Sequence, residues 1–344
     1  MASPNLSEIV TTTLRNRSGV LADNVSRNNA LLSRLKERGR TKPFGGGRTI
    51  VEEIMYANNG TYKRYSGYEA LNITPSDVFT AAEFAIRQSA VAISISGLEM
   101  LQNRGKEAVI DLLDSRIENA EITLTNGLSY DVYSDGSQSG QMNGLQTLVS
   151  SSPTSGTIGG IDRASWVFWR NLKFSGSSDG GAATSASNIQ SYMNRLVVQL
   201  VRGADGPDLI VADNTYYRLY LESLQAIQRI TSSGSSQTGA GFASLAYYGS
   251  GREIQVVLDG GFQGSTSDGN TFGSGGAGAV GGAPSATMYF LNTKYLHYRP
   301  HRDRNCVPLD PDRFSVNQDA MVKLIGWAGN MTISNCALQG VLVA

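Results

Sequence analysis

The sequence predicts a mixed α+β fold, and three observations support this prediction. One long segment has apolar residues at helical spacing, several later segments have the composition of strands, and glycine- and serine-rich loops separate them. Helices and strands alternate irregularly, which favours α+β over a doubly wound parallel sheet. The 344 residues include 29 basic and 29 acidic side chains and 40% hydrophobic residues, so the chain can bury a large core.

Residues 1–48 are basic, with nine arginine and lysine residues against three acidic ones, which gives nine minus three, or a net charge of plus six. Residues 24–36 predict a short helix, and the run to residue 47 predicts an extended arm. Two interpretations remain open. The segment is a solvated tail, or it orders against a neighbouring subunit or near a polyanion.

Residues 61–96 predict a long two-stranded excursion. Its first half is rich in tyrosine, and its second half contains β-forming residues whose alternation changes parity between Phe84 and Val91. We therefore expect a bulge or bend near Gln88. An isolated two-stranded ribbon is marginal in water, so the excursion needs a partner surface on its own core or on another subunit.

Residues 97–127 predict one amphipathic helix, because apolar residues recur mostly at steps of three to five residues. Asn126 and Gly127 predict its end. A helix of roughly thirty residues is about 45 Å long, which is the length of a strut. Gly105 lies within the helix and costs on the order of 1 kcal/mol relative to alanine, so we expect a kink or a close contact there.

The rest of the chain predicts two helices and several strands. Trp166, Phe168 and Trp169 indicate a buried turn or strand. A helix is predicted over residues 187–202, with a serine cap and an end at Gly203, and a second over 216–230 with Asp213 as its N-cap. Strands are predicted over 209–212, which is buried, over 253–258 and over 286–298. A closing hairpin is predicted to turn at Ala328, Gly329 and Asn330 before a final strand.

Two motifs resemble catalytic ones but lack the context that their chemistry needs. GAGAVG at 276–281 has neither a strand before it nor a helix after it, so it does not predict nucleotide binding. GSSDG at 176–180 would make Ser178 a nucleophile, but no helix is predicted directly after it, and only His297 and His301 exist as bases.

The histidine, cysteine and arginine residues are better explained by structural roles. Pro300 separates His297 from His301, so a shared metal-binding helix face is not expected, and we interpret both as surface or interface residues. Cys306 and Cys336 are expected to be reduced packing residues, and no Cys/His cluster predicts zinc. The neighbouring arginines could bind phosphate or, with Asp303, form an ion pair between subunits; they are Arg299, Arg302 and Arg304.

Four segments together resemble the major capsid proteins of tailed double-stranded-DNA bacteriophages, which have the Hong Kong 97 type coat fold. They are VFTAAEFAIRQSAVAISISGLEML, VIDLLDSRIENAEITLTNGLSYDVYSDG, GGIDRASWVFWRN and PDLIVAD. The resemblance covers essentially the whole chain. It implies an N-terminal arm (1–60), an extended β loop (61–96), a peripheral domain (97–206) with a spine helix (97–128), an axial domain (207–318) with a glycine-rich loop (260–282), and a C-terminal hairpin (319–344) that returns to the peripheral domain.

The resemblance implies that the chain assembles with itself, through pentamers and hexamers, into an icosahedral shell around the phage genome. The other implied partners are a separate scaffolding protein, a portal, an optional decoration protein, and packaged double-stranded DNA contacted non-specifically on the inner face. No enzyme activity, cofactor, metal or membrane contact is implied. The implied location is the virion capsid, assembled in the host bacterial cytoplasm.

Contact between subunits is expected from Tyr62, Arg64, Tyr65 and Tyr68 of the extended loop and from the three arginines, with a solvated hairpin tip as the alternative. Some family members crosslink a loop lysine to an asparagine. Lys63 lies in the expected place, but no motif identifies an acceptor, so we expect no crosslink. Three other functions remain open: an encapsulin-like bacterial compartment shell, a minor tail or decoration protein, and a hydrolase that uses Ser178.

Overall fold

The computed structural model describes residues 29–96, 106–225, 244–249, 251–259, 282–314 and 320–344. The first 28 residues of the basic segment, the surroundings of Gly105, residues 226–230 and the GAGAVG motif lie outside the described residues. The described helices are α1 (Ala30–Glu37), α2 (Lys106–Val132), α3 (Leu145–Leu148), α4 (Ile189–Leu200) and α5 (Asn214–Gln225).

The described strands form four sheets, so the predicted α+β class is confirmed. In chain order they are β1 (Thr49–Met55), β2 (Phe79–Ala85), β3 (Arg87–Ser96), β4 (Thr157–Ile158), β5 (Ile161–Asp162), β6 (Leu172–Ser175), β7 (Leu209–Ala212), β8 (Ser244–Gly249), β9 (Arg252–Leu258), β10 (Thr287–Leu291), β11 (Leu296–Pro300), β12 (Val307–Phe314), β13 (Ala320–Ile333) and β14 (Gly340–Val343).

The largest sheet has six strands in the order β6-β14-β10-β7-β9-β8 and separates two hydrophobic cores. Every residue of the central strands β7 and β10 is buried. In β7, Leu209 and Val211 belong to the core that contains α1 and α2, whereas Ile210 and Ala212 belong to the core that contains α4 and α5. A strand covered on both faces has a continuous apolar sequence, which is why residues 209–212 were predictable as a buried strand.

The predicted helix start after β7 is confirmed in atomic detail. Asp213 accepts hydrogen bonds from the backbone nitrogens of Thr215 at 3.0 Å and Tyr216 at 2.9 Å, which caps α5. The predicted serine cap of α4 is wrong, because Asn188 occupies the N-cap position, and α4 ends at Leu200 rather than at Gly203. Cys306 and Cys336 are buried free thiols, as predicted.

Helix α2 passes through its predicted end. The buried residues Ile117, Ala120 and Leu124 confirm the predicted stripe, but Leu128 and Val132 extend it beyond Asn126 and Gly127. Packing of these two side chains offsets the helix-ending preference of the Asn-Gly pair. The described part of α2 has 27 residues and is therefore about 40 Å long.

A second sheet forms around β13, a single strand of 14 residues. Strand β3 pairs with it from Ala320 to Gly329, while β11 and β12 pair in succession with its two halves. The predicted single strand over residues 286–298 is wrong. Asn292 caps a short 3₁₀ turn there, so β10 joins the six-stranded sheet whereas β11 joins β13.

The predicted hairpin turn at Ala328, Gly329 and Asn330 is also wrong, because these residues lie inside β13. A Cβ atom on Gly329 would lie 2.6 Å from the carbonyl oxygen of Arg299 on β11, so this glycine permits close strand packing. Asn330 is fully buried and donates a hydrogen bond to the Ala85 carbonyl oxygen at 2.8 Å. The final strand, β14, pairs with β10 and β6 instead of returning along β13.

The described part of the basic segment is not a solvated tail. Leu31 and Leu35 of α1 are fully buried, and the Arg38 guanidinium at its end forms an ion pair with Asp208 and donates to the Gln255 side chain at 3.3 Å. Beyond α1, Lys42 donates its backbone N–H to the Tyr298 carbonyl oxygen at 2.9 Å. This segment therefore packs along β11 of its own chain.

His297 on β11 is 4% exposed, so its interpretation as a surface residue is wrong. Burial, followed by the nearby Lys42 ammonium, lowers the pKa of its imidazole to about 4. Its Nδ1 atom has no hydrogen-bond partner among the residues that the structure describes. The ring is therefore a neutral packing group at physiological pH.

We expect Gly329→Ala to lower the free energy of unfolding by about 1–3 kcal/mol, because the added methyl group has no room against β11. The matched control is Gly45→Ala, since no atom lies within 4 Å of a Cβ there and its stability should hardly change. Urea denaturation measures both. Equal stability of the two variants would contradict the close packing of β11 on β13.

We also expect the protein to lose roughly 2 kcal/mol of stability through His297 between pH 7 and pH 5. The unfolded imidazole takes up a proton near pH 6.5, whereas the folded one stays neutral until about pH 4, so acidification favours the unfolded chain. His297→Gln should remove this loss in urea titrations at the two pH values. His301→Gln keeps His297 and should keep the loss; an undiminished loss in His297→Gln would refute the assignment.

Candidate intersubunit interface

Strands β1 and β2 form an antiparallel hairpin whose pairing runs from Thr49 opposite Ala85 to Met55 opposite Phe79. Residues 57–77 form its tip and lie in turns and irregular backbone. The predicted excursion therefore exists, but its first strand is β1 and not the tyrosine-rich segment, so the predicted loop boundary at residue 61 falls within the tip. The predicted change of parity is confirmed, since the chain leaves the hairpin at Ile86 and continues as β3 beside β13.

The two faces of the hairpin have different environments. Ile50, Ile54 and Phe84 are buried against the body of the protein. On the opposite face, Met55 and Phe79 are paired across the two strands and are 69% and 73% exposed. A directly opposed apolar pair is a favourable cross-strand contact, but its outer surface is covered by nothing in the described part of the chain.

The base of the hairpin is firmly attached to the body. Glu83 donates its backbone N–H to the Gly159 carbonyl oxygen at 2.9 Å, and Glu52 accepts a hydrogen bond from Thr332 Oγ1 at 2.9 Å. Gly159 has a φ of +57°, and a Cβ there would lie 2.7 Å from the Ala82 methyl group. Only glycine meets both conditions without strain, so this turn fixes the angle at which the hairpin leaves the body.

The tip carries the residues expected to contact another subunit. Tyr62 and Tyr65 are 81% and 62% exposed, and Tyr68, Arg64 and Ile73 are also exposed. Lys63 and Glu69 form an ion pair of 2.9 Å within the tip, with both side chains about half exposed. Large apolar side chains that protrude together usually mark an interaction surface.

A second aromatic group lies where the hairpin meets the body. The Tyr56 ring lies 5.9 Å from the Trp166 ring and 5.5 Å from the Phe168 ring. Trp169 is buried as predicted, but Trp166 and Val167 are 49% and 70% exposed. Sequence reasoning interpreted all three aromatic residues as buried and so missed this surface, where the consecutive residues Trp166 and Val167 are exposed at the start of a 3₁₀ turn over Val167–Trp169.

The three arginines do not share one environment. Arg299 lies 3.6 Å from Glu52 at the base of the hairpin, and its side chain is 20% exposed, so it makes an ion pair within its own chain. Arg302 and Arg304 are exposed on the connection from β11 to β12. His301 lies on the same connection, where its ring packs edge-on against Phe44 at 5.0 Å between centroids.

The described residues contain little that resembles a catalytic or metal site. Ser178 follows β6 in a loop, and the next helix begins at Ile189, so the sharp strand-to-helix turn of a nucleophile elbow is missing. No group of three histidine, cysteine, aspartate or glutamate side chains in the described ranges could hold a metal ion. Within the same ranges, no helix has the length and apolarity needed to span a membrane.

The sequence matches no protein-family model and no curated protein. The fold, in contrast, is similar to solved structures. A chain of the cyanophage A-1(L) capsid asymmetric unit superposes with a TM-score of 0.58 at 14% identity, covering 88% of this chain and 90% of that one. A chain of the capsid of the native GTA particle superposes with a TM-score of 0.50 at 10% identity, covering 89% and 88%.

A chain of the virus-like particle from Pyrococcus furiosus superposes with a TM-score of 0.49 at 11% identity, covering 96% of this chain and 99% of that one. At these identities a similarity establishes the fold alone. The fold expected from the sequence resemblance is therefore confirmed: the chain has the Hong Kong 97 type capsid fold.

Proposed function

We propose that this protein is a major capsid protein that assembles through pentamers and hexamers into the icosahedral shell around a phage genome. One observation carries the proposal: a subunit with a capsid fold projects a hairpin whose tip leaves large apolar side chains uncovered. The role is structural, and no enzymatic step is proposed.

The occupant of the exposed hairpin surface is a second copy of the same chain. A two-stranded ribbon gains little stability from its own pairing, so its outer half needs a partner. The base of the hairpin is bound to Gly159 and Thr332, so the tip extends from a fixed attachment to the body. In a closed shell every subunit both offers a tip and receives one, which gives a large interface from several neighbours.

The finer assignments follow from this role. The proposed divisions are the arm up to residue 48, the extended loop from Thr49 to Ser96 in place of 61–96, the peripheral domain (97–206), the axial domain (207–318) and the closing segment (319–344). Tyr62, Tyr65, Tyr68 and Arg64 are proposed to contact the neighbouring subunit, as are Arg302 and Arg304. Arg299 is proposed to act indirectly, by holding the hairpin base through Glu52.

The proposed partners are a separate scaffolding protein, a portal, a decoration protein and packaged double-stranded DNA. Contact with DNA would be non-specific and weakened by salt, because it would come from basic side chains facing phosphates. The proposed location is the virion capsid after assembly in the host bacterial cytoplasm. An encapsulin-like compartment shell is the alternative, and it differs in its contents: an enzyme instead of DNA.

Electron microscopy of the expressed protein, with and without its neighbouring open reading frames, tests the proposal. We expect closed polyhedral particles of uniform size, whose contents then separate a viral shell from an encapsulin-like one. A small monodisperse species under both conditions would contradict the shell role. The copy number per particle separates a major capsid protein from a minor tail or decoration protein.

We further expect the combined substitution Tyr62→Ser, Tyr65→Ser and Tyr68→Ser to abolish closed particles and leave the subunit folded. These side chains contribute to the exposed tip and not to either core, so the melting temperature of the unassembled subunit should hardly change. Tyr248→Ser is the control, since Tyr248 is 66% exposed on β8, outside the hairpin. Normal particles from the triple variant would refute the role of the tip.

A further inference from the structure

A polar cavity of about 890 Å³ lies apart from the hairpin surface. It is bounded by the end of α2, by α3, by β4, and by the six-stranded sheet at β6, β10 and β14. Its charged lining side chains are Arg87, Arg163, Lys173 and Asp135, and serine, threonine, asparagine and glutamine side chains make up much of the remainder. The proposed capsid role does not account for this cavity.

Arg163 is the unusual residue in this lining. It is 1% exposed, and its guanidinium donates one hydrogen bond to the Leu148 carbonyl oxygen and lies against the Cys336 thiol. Its Nε atom is buried without a hydrogen-bond partner, and no carboxylate of the described residues lies within 4 Å. A buried cation that lacks a carboxylate costs stability, unless an anion from outside the fold compensates it.

The neighbouring charges do not supply that anion. Asp135 accepts a hydrogen bond from the Ser137 backbone nitrogen at 3.0 Å, and its pKa is lowered by the Ser137 side chain and backbone. Within the described ranges, the buried Nε atom of Arg87 has no hydrogen-bond partner, as is the case for Arg163, and Lys173 is exposed at the cavity. The side chains therefore carry three positive charges and one negative charge, and the terminal carboxylate of Ala344, which also lines the cavity, brings the net charge to plus one.

We propose that this cavity binds a small phosphate anion, with Arg163 and Arg87 as hydrogen-bond donors and Lys173 as a further positive charge. Guanidinium groups present planar, paired N–H donors that match phosphate oxygens, and such charge-assisted bonds are stronger than neutral ones. An anionic phosphate is opposite in sign to the net positive charge of the lining. The polar hydroxyl and amide groups around it can bind the remaining oxygens directly or through water.

Isothermal titration calorimetry of the full chain with inorganic phosphate and with pyrophosphate tests the proposal, at constant ionic strength set with potassium chloride. We expect one saturable site per chain and a higher melting temperature with either anion. Arg87→Gln and Lys173→Gln should each weaken binding by about tenfold, because each removes one charge that contacts the anion. Arg195→Gln, at an exposed arginine of α4 outside the cavity, should bind as the wild type does.

Arg163→Met removes the buried cation and should abolish binding; circular dichroism establishes whether this variant is folded. If the Arg163→Met variant does not fold, Arg87→Gln and Lys173→Gln still test the proposal, because both positions are partly exposed. Absence of saturable heat with both anions, or unchanged affinity in Arg87→Gln and Lys173→Gln, would overturn the proposal. Binding of a duplex oligonucleotide that phosphate does not displace, with no binding of phosphate itself, would also overturn it.

Discussion

Burial of β7 and β10 on both faces is the constraint on which the rest of the molecule depends. Their alternate side chains enter two different cores, so each face of the six-stranded sheet forms one side of a core. Helices α4 and α5 cover one side of it, while α1, α2 and the sheet around β13 share the core on the other. Truncating one large side chain in such a strand costs about 2–5 kcal/mol and would loosen one whole core.

The hairpin is attached to this body, but the body does not cover all of its apolar side chains. Its base is bound to Gly159 and Thr332, whereas Met55, Phe79 and the tip tyrosines remain uncovered. In a single chain, the hairpin therefore has a base that is attached rigidly to the body and apolar side chains that are left exposed. In a protein that acts alone, such exposed apolar side chains favour aggregation. In a subunit of an assembly, they can be buried against other copies of the same chain.

Features determined by local sequence were predictable. The stripe of α2, the strand β7 and the Asp213 cap depend on spacing or on one side chain, and all three are present. Features determined by distant packing were not. Gly329 and Asn330 are common in turns, but here they allow β11 and Ala85 to approach β13. His297 resembled a surface residue because nothing in its neighbourhood along the chain shows that Lys42 and Glu52 will lie close to its ring.

Of the candidate interface, the sequence predicted an excursion rich in tyrosine but not its partner strand. The pairing of β1 with β2 joins segments separated by the whole tip, and alternation alone does not identify such a partner. The exposure of Trp166 and Val167 likewise depends on a 3₁₀ turn that composition does not show. The cavity around Arg163 draws on segments from β3 to β14, so no single stretch of sequence could indicate it.

Amide hydrogen exchange at residues 57–77, compared between unassembled subunits and closed particles, tests the central claim most directly. If another copy completes the hairpin, these amides exchange rapidly in the subunit and about tenfold or more slowly in the particle, while β7 is protected in both. Equal exchange of the tip in the two states would contradict the claim that assembly covers it.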